Sequence, residues 1–205
     1  MNRLQILSEH TLLVLNAVFA SERLQANLLQ NGSFDNGFTD WTLQGGGLVT
    51  INDSSTTQQY AGGSTGAVGL AGTSTLFQDI STVVGQQYSF SFYLAEWGPN
   101  YIPDYVMELD PSFGSVSLGQ VDFNGSGKTF LNMGWEQFVY TVTATSTTTE
   151  VSFYNPLSNY ADDGWPAIDA VVVTPMPENA GIGVYLISLL FLVSFGYLRH
   201  RISPV

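Results

Sequence analysis

One ten-residue stretch of this sequence collects the side chains that could bind a polar ligand. It reads Glu96-Trp97-Gly98-Pro99-Asn100-Tyr101-Ile102-Pro103-Asp104-Tyr105. Prolines stiffen a loop, aromatic rings can stack on the C–H faces of sugars, and acidic or amide oxygens accept hydrogen bonds from sugar hydroxyls. A later loop adds two more aromatic residues. The predicted sugar-binding residues are Glu96, Trp97, Asn100, Tyr101, Asp104, Tyr105, Tyr160 and Trp165; the alternative is that these rings fold inward as a lid.

Cysteine and histidine, which take part in many catalytic mechanisms, are missing from the central segment, residues 27–174. The sequence has no cysteine, and its two histidines, His10 and His200, lie outside that segment. Ser-His-Asp and Cys-His catalysis are therefore excluded there, as are zinc sites with histidine or cysteine ligands. Carboxylates, hydroxyls, amides and aromatic rings remain, and a hard cation such as calcium suits such oxygen ligands.

A pair of carboxylates is the one catalytic arrangement left open. Two carboxylates can hydrolyse a glycoside when they lie roughly 5–9.5 Å apart. No local motif distinguishes one pair from another among the candidates Glu96, Asp104, Glu108 and Glu136. We therefore expect a non-catalytic protein, with a membrane-anchored glycosidase as the weaker alternative.

The charge of the central part of the chain excludes other classes of partner. Residues 27–178 contain fifteen Asp and Glu residues and one basic residue, Lys128, so their formal charge is −14, compared with −12 for the whole chain. A field of this sign repels phosphate backbones and anionic membrane surfaces, which excludes nucleic-acid binding. Bound cations would reduce the repulsion among the carboxylates.

The elements that must position these side chains are predicted to be β-strands. Apolar and polar residues alternate over 88–95 and 138–145, the period of a strand with one buried face, and 168–173 is a β-branched run. Weaker candidate strands are 48–51, 67–70, 76–80, 106–109, 115–118 and 151–153. Turn-forming residues separate these runs. We predict an all-β, antiparallel β-sandwich of the jelly-roll type.

Ordered motifs connect the segment 27–174 with a known group of domains. It opens with Asn31-Gly32-Ser33-Phe34-Asp35, followed by Gly37 and Trp41, and closes with Ile168-Asp169-Ala170-Val171-Val172-Val173. Residues 85–90 and 135–138 match the strands between. In this order and spacing the segment resembles carbohydrate-binding-module-like, galactose-binding-like jelly rolls. The resemblance implies a sugar-binding domain with Trp41 and Trp135 in its core.

The same resemblance implies a structural calcium ion where the opening segment meets the last strand. Carried over to this sequence, the ligands are Asp35 and Asp169, with backbone carbonyls around Asn31. Calcium takes six to eight oxygen ligands, and two carboxylates with several carbonyls form a suitable set. The alternative is that both aspartates cap turns by accepting hydrogen bonds from backbone N–H groups.

The C-terminal residues indicate where the protein resides. Residues 180–198 are apolar or small and carry no charge, and a helix of this length spans the ~30 Å hydrocarbon core of a bilayer. The tail 199–205 contains Arg199 and Arg201, and the positive-inside rule puts it in the cytoplasm. The central segment is then outside the inner membrane.

The linker 175–179 before this span carries a second resemblance. Pro177-Glu178, a single membrane span and the terminal Arg199 and Arg201 resemble the PEP-CTERM sorting signal of Gram-negative bacteria, although Asn179 replaces the usual second proline. The resemblance implies that an exosortase processes the protein and delivers it to the cell surface or extracellular matrix. A simple membrane anchor is the alternative.

The N-terminus agrees with export. Arg3 precedes the apolar run 11–20, which has the length of a signal-peptide core, and cleavage is possible after Ala20 or Ala26. Cleavage after Ala26 makes residues 1–26 the signal peptide. We expect an exported, surface-sorted protein that binds or structures extracellular polysaccharide; the alternative is a purely structural surface protein that binds no sugar.

Overall fold

A computed structural model describes residues 26–51, 60–97, 106–157 and 164–177, without the side chains of 48–51. The predicted signal-peptide core, membrane span and basic tail lie outside these ranges. So do three sorting-motif residues, Glu178, Arg199 and Arg201, whereas Pro177 is the last described residue. Within the described ranges, no helix has the length and apolar character needed to cross a membrane.

The described ranges contain nine β-strands, seven of which are eight residues or longer. The strands are β1 Thr42–Ile51, β2 Ala67–Ser81, β3 Gln87–Trp97, β4 Val106–Phe113, β5 Val116–Ser117, β6 Val121–Asn124, β7 Glu136–Thr143, β8 Thr148–Asn155 and β9 Trp165–Pro175.

All strand pairings are antiparallel, and the strands form a curved sheet with the shape of a half-barrel. Its order is β5-β4-β8-β2-β9-β3-β7, while β1 pairs with β2 and β6 pairs with β4. The prediction of an all-β, antiparallel fold is confirmed, and the architecture is consistent with a jelly roll. Strands β3 and β9 lie side by side over most of their length, so they decide where the predicted site residues meet.

Aromatic side chains fill the interior of the half-barrel. Phe92 of β3 meets Phe153 of β8 edge-on, with ring centroids 4.9 Å apart. Trp41 packs against Phe34 at 5.3 Å and against Phe153 at 6.2 Å. Each such side chain contributes roughly 1.5–3 kcal/mol to folding by leaving water. Trp41 is buried as predicted, and Trp135 is half-buried against the same core.

The opening segment lies along β9 and closes one side of the structure. The backbone amide of Leu28 donates to the carbonyl of Val173 at 2.8 Å, and the amide of Val171 donates to the carbonyl of Gly32 at 2.8 Å. A Cβ atom added at Gly32 would lie 2.1 Å from the carbonyl oxygen of Val171. Close backbone approach therefore explains why a glycine stands in the opening motif.

Candidate ligand-binding site

Strand β3 carries a row of core-facing side chains that ends in a carboxyl group. Tyr88, Phe90, Phe92 and Leu94 are buried at alternate positions, and Glu96 takes the next position in the row. Only 1% of Glu96 is exposed. Because side chains alternate along a strand, this register places an ionisable group at the end of an apolar face.

Two glycines bring backbone against the carboxyl group of Glu96. A Cβ atom added at Gly125, directly after β6, would lie 1.4 Å from Glu96 Oε2, and one added at Gly164, directly before β9, would lie 2.7 Å from Oε1. A side chain at either position would therefore collide with the carboxyl group. The end of β3, the loop between β6 and β7, and the start of β9 thus converge on Glu96.

The carboxyl group of Glu96 has unused hydrogen-bonding capacity. Its Oε1 atom is buried and has no hydrogen-bond partner among the residues that the structure describes. Burial raises the pKa of Glu96 to about 7, because removal from water disfavours the charged form. A buried polar atom without a partner is costly, so the protonated form of Glu96 is favoured in these surroundings.

Two of the predicted sugar-stacking residues lie side by side at the same end of the sheet. Trp97, the last residue of β3, is the cross-strand partner of Trp165, the first residue of β9. Such partners project from the same face with Cβ atoms about 4.5–5.5 Å apart. Phe130, between β6 and β7, has its ring centroid 5.1 Å from that of Trp97. All three rings are half-buried.

The sequence prediction named part of this site and missed another part. The structure brings Glu96, Trp97 and Trp165 to one end of the sheet, whereas the other predicted contacts, Asn100, Tyr101, Asp104, Tyr105 and Tyr160, lie outside the described residues. Sequence reasoning missed Phe130 and Gly125. Both lie in a glycine-rich connection with no strand periodicity, and the only signal available was one apolar ring within that polar loop.

The predicted metal ligand Asp169 lies in the interior of β9 and is fully buried. Its Oδ2 accepts hydrogen bonds from the backbone amide of Ala61 at 2.8 Å and from the hydroxyl of Ser64, and its Oδ1 accepts one from the amide of Ala170. Burial raises the pKa of Asp169 to about 7, and the nearby charge of Asp35 raises it further, while these hydrogen bonds act in the opposite direction.

Asp35 is exposed and is joined to the same loop as Asp169. Its Oδ1 accepts hydrogen bonds from the backbone amide of Thr65 at 2.6 Å and from the Thr65 hydroxyl at 2.7 Å, and its Oδ2 accepts one from Ser33 at 2.8 Å. The Thr65 amide is the main reason that the pKa of Asp35 is lowered. Residues 61–65 therefore bridge the two aspartates that the sequence prediction placed in one site.

The third predicted element of the metal site is the backbone around Asn31. The carbonyl of Asn31 accepts hydrogen bonds from the amide of Phe34 at 3.1 Å and from Trp41 Nε1 at 3.2 Å. The described residues contain no group of three or more His, Cys, Asp or Glu side chains that could hold a metal ion. The oxygens here fit calcium by type, and their present hydrogen bonds also match the turn-capping alternative.

One protein-family model matches most of the chain. The model, described as "Protein of unknown function (DUF642)", matches residues 21–174. None of the curated proteins matches the chain.

Several solved structures are similar to this one. TmCBM61, solved in complex with β-1,4-galactotriose, is 16% identical with a TM-score of 0.52, and the match covers 74% of this chain and 99% of that one. The K1 cleaved adhesin domain of Lys-gingipain from Porphyromonas gingivalis W83 is 16% identical with a TM-score of 0.52, covering 69% and 95%. A family 35 carbohydrate-binding module from Clostridium thermocellum is 15% identical with a TM-score of 0.45, covering 66% and 92%. At these identities the two matches with a TM-score of 0.52 show the fold alone.

Proposed function

The chain belongs to the DUF642 family, and we propose that it binds carbohydrate at the end of the sheet formed by Glu96, Trp97 and Trp165. The observation that carries this proposal is the pairing of two half-buried tryptophans, Trp97 and Trp165, on one face at this end of the sheet. The fold supports it, because a structure with the same fold holds β-1,4-galactotriose.

The chemistry of the paired tryptophans matches what a sugar offers. A pyranose ring has flat C–H faces that pack on indole rings, and its hydroxyl groups donate or accept hydrogen bonds. Asn100, Tyr101, Asp104, Tyr105 and Tyr160 complete the proposed site.

The proposed role of this binding is to attach to, or to structure, extracellular polysaccharide. In this proposal the protein is exported, an exosortase acts on its C-terminal signal, and the domain works at the surface of a Gram-negative cell. Mass spectrometry of the mature protein tests the sorting step. We expect the mature form to lack residues 180–205; an intact C-terminus in the membrane fraction would leave only a simple anchor.

We propose a non-catalytic role because one carboxylate is not enough for glycoside hydrolysis. A second carboxylate would have to lie roughly 5–9.5 Å from Glu96. Among the residues that the structure describes, burial is the cause of the raised pKa of Glu96, and no carboxylate is found to act on it. Release of reducing sugar that stops in a Glu96→Gln variant would overturn this part of the proposal.

A structural protein without sugar binding is the second candidate function. The observation that favours it is the packing of Trp97 on Phe130, which consumes part of one indole surface. In that case the aromatic rings would only seal the end of the half-barrel. The two candidates differ in whether the purified protein retains any polysaccharide.

A glycan array probed with the full-length protein tests the proposed function directly. We expect retention on at least one polysaccharide. Trp165→Ala should weaken this retention by about tenfold, because stacking of a flat ring on an aromatic side chain is worth on the order of 1–3 kcal/mol. Phe38→Ala is the control, because Phe38 is an exposed aromatic residue, 49% accessible, in the opening segment. Absence of binding to every polysaccharide would favour the structural role.

We also propose that a calcium ion binds beside Asp35 and Asp169. Two carboxylates bridged by residues 61–65 repel each other, and a divalent cation would remove that repulsion. Carbonyl oxygens near Asn31 would add to the ligand set. The ion would hold the opening segment against β9 and would have no part in sugar recognition.

A further inference from the structure

We propose that, before the C-terminal segment is removed, one end of the domain rests on the lipid bilayer with the exposed side chains of Val83 and Val84 in the headgroup layer. The inference rests on the export and sorting proposed above, in which residues 180–198 span the membrane. It also assigns an orientation to the domain: the end of the sheet that carries Trp97 and Trp165 faces away from the membrane.

The turn between β2 and β3 holds two neighbouring apolar side chains in water. Val83 is 64% exposed and Val84 is 59% exposed. The backbone of the turn is nevertheless fixed, because the amide of Val83 donates to the hydroxyl of Tyr88 at 2.8 Å and the amide of Gly85 donates to the carbonyl of Ala144 at 2.8 Å. A rigid turn therefore displays both valines to solvent.

The end of the sheet that carries this turn, the hairpin end, is uncharged although the domain is strongly acidic. Strand register brings four segments together there, through the pairs Ser81–Thr148, Phe113–Val151, Gln87–Thr143 and Tyr88–Pro175. No Asp, Glu, Lys, Arg or His occurs in these segments, which are 81–89, 111–121, 143–149 and 173–177. On β2 and β8 the first acidic residues are the cross-strand partners Asp79 and Glu150. They lie two residues back from the end of β2, about 7 Å along the strand.

The chain leaves the described part of the domain at the same end. The amide of Met176 donates to the carbonyl of Gln87 at 2.8 Å, and Gln86 Nε2 donates to the carbonyl of Met176 at 2.6 Å, so the hairpin holds the chain up to this residue. From Met176 to Ala180, where the predicted span begins, the chain reaches at most about 14 Å. The headgroup layer is about 5–7 Å thick on each side of a bilayer. The hairpin end therefore lies at this layer or just outside it.

A bilayer surface suits what the hairpin end presents. The acidic remainder of the domain is repelled by anionic lipids, whereas the valines gain by leaving water and bring no charge with them. The covalent link keeps the valines at a high local concentration beside the bilayer, so a weak contact is enough. Strand β9 runs 11 residues from Trp165 to this end, which separates Trp165 from the membrane by roughly 30 Å.

The experiment measures which positions of the full-length protein lie near lipid. The sequence has no cysteine, so the variants Val84→Cys, Leu131→Cys and Ser188→Cys each accept a single fluorescent label. Leu131 is 69% exposed and follows Phe130 at the opposite end of the sheet, and Ser188 is in the middle of the predicted span. The labelled proteins are reconstituted into vesicles of phosphatidylethanolamine and phosphatidylglycerol that contain lipids with a nitroxide quencher, placed near the headgroup or in the acyl chain.

The expected result is a difference between the two ends of the domain. Headgroup nitroxides should quench the label at position 84 at least about twofold more strongly than the label at position 131, because the two ends differ by roughly 30 Å in their distance from the bilayer. Acyl-chain nitroxides should quench the label at position 188, which reports that the span has inserted.

A further label shows whether the valines themselves make the contact. Val116, on β5, is an exposed residue at the hairpin end, so Val116→Cys reports on that end without altering the turn. When Val83→Asp and Val84→Asp are added, headgroup quenching at position 116 should fall by about twofold, because charged side chains stay in water. Val83→Leu with Val84→Leu is the matched control and should keep the quenching.

Each other result has a defined meaning. Quenching at position 188 without stronger quenching at 84 than at 131 would overturn the inference and leave the membrane anchor intact. Quenching at 116 that the aspartates do not reduce would overturn the contact made by the valines. A spectral change at 84 that follows protein concentration and not the nitroxide would assign the valines to contact with a second copy, which also overturns it. Absence of quenching at 188 would overturn the proposed membrane span itself.

Discussion

Two carboxyl groups, those of Glu96 and Asp169, are buried with pKa values raised to about 7, but their surroundings differ. For Asp169, burial is the main cause and hydrogen bonds from Ser64, Ala170 and Ala61 oppose it. For Glu96, burial acts without such hydrogen bonds. Asp169 is therefore held by neighbouring residues, whereas Glu96 keeps one buried oxygen unpaired among the described residues.

These raised pKa values predict a stability that falls as pH rises. Both groups bind a proton more tightly in the folded than in the unfolded protein, so their stabilisation is complete below pH 4 and is lost as pH approaches and passes about 7. We expect the melting temperature to be several degrees lower at pH 8 than at pH 5. Differential scanning calorimetry in a low-ionisation-heat buffer measures this difference.

The matched variants for this prediction are Glu96→Gln and Asp169→Asn. Each should reduce the pH dependence, and the double variant should nearly remove it, because residues 27–174 contain no histidine that titrates in this range. Asp35 acts at lower pH: its pKa is lowered, so its contribution is present above pH 4 and is lost below it. Melting temperatures that are equal at pH 5 and pH 8 in the wild-type protein would contradict the burial of both groups.

Some of the site residues could be predicted from the sequence because their types cluster. Trp97 and Glu96 stand in one aromatic, acidic stretch, and Asp35 and Asp169 stand in recognisable opening and closing motifs. The burial of Glu96 could not be predicted, because it depends on Gly125 and Gly164, which are distant in sequence. Only the folded chain shows that three segments meet there.

At the level of elements, periodic strands were predicted well and irregular ones were not. The alternation over 88–95 predicted β3, and the apolar run 168–173 predicted the interior of β9. The sequence suggested two strands at 67–70 and 76–80, yet β2 is continuous from Ala67 to Ser81, and Gly72 adopts a φ of 63° within it. Strand β6, four residues long, was missed because it is too short to show a period.

The contact between β3 and the loop after β6 predicts a strong effect of a small change at Gly125. The added methyl group of Gly125→Ala would overlap with Glu96 Oε2. We expect a loss of roughly 1–3 kcal/mol in unfolding free energy, as is usual for overpacking of a buried contact. Urea denaturation followed by circular dichroism measures the loss.

A double-mutant cycle shows whether Glu96 is the cause. Glu96→Ala should relieve most of the effect of Gly125→Ala, since the colliding atoms are then absent. Gly47→Ala is the matched control, because an added Cβ atom there meets Ala71 at an ordinary 3.4 Å. Additive effects of the two substitutions would show that β3 and this loop do not touch as described.

At the scale of the whole molecule, net charge follows from composition, whereas shape required coordinates; the export and sorting segments at the termini stay predictions. Fifteen acidic residues against one basic residue in 27–178 already excluded nucleic-acid partners. The curvature of the sheet and the order of its strands depend on pairings between distant residues, such as Tyr88 with Pro175. Sequence periodicity carries no information about those pairings.

The proposed calcium site in this acidic domain predicts that calcium stabilises the folded protein. If the ion binds only the folded state, calcium at about 100 times its dissociation constant stabilises the protein by about 2.7 kcal/mol. We expect the melting temperature in millimolar calcium to exceed that in chelator by about 5 °C or more. Thermal melts of the wild-type protein and of Asp35→Asn measure this shift, and the variant should lose it.

Magnesium and a second variant separate a specific site from general charge screening. Asp122→Asn removes an exposed carboxylate on β6, far in sequence from the proposed ligands, and should keep the calcium shift. Magnesium at the same concentration should give a much smaller shift, because it requires a tighter octahedral set of ligands. Identical melting curves in calcium and in chelator would contradict the proposed calcium site.

The most direct test of carbohydrate binding at this end of the sheet is hydrogen exchange of the full-length protein with and without a bound glycan. We predict added protection at Glu96 and Trp97, in the loop 125–134 and at Gly164 and Trp165. The rest of the sheet should exchange as it does without glycan. Protection confined to another surface, such as the β7 edge, or no change at saturating glycan, would contradict the proposed site.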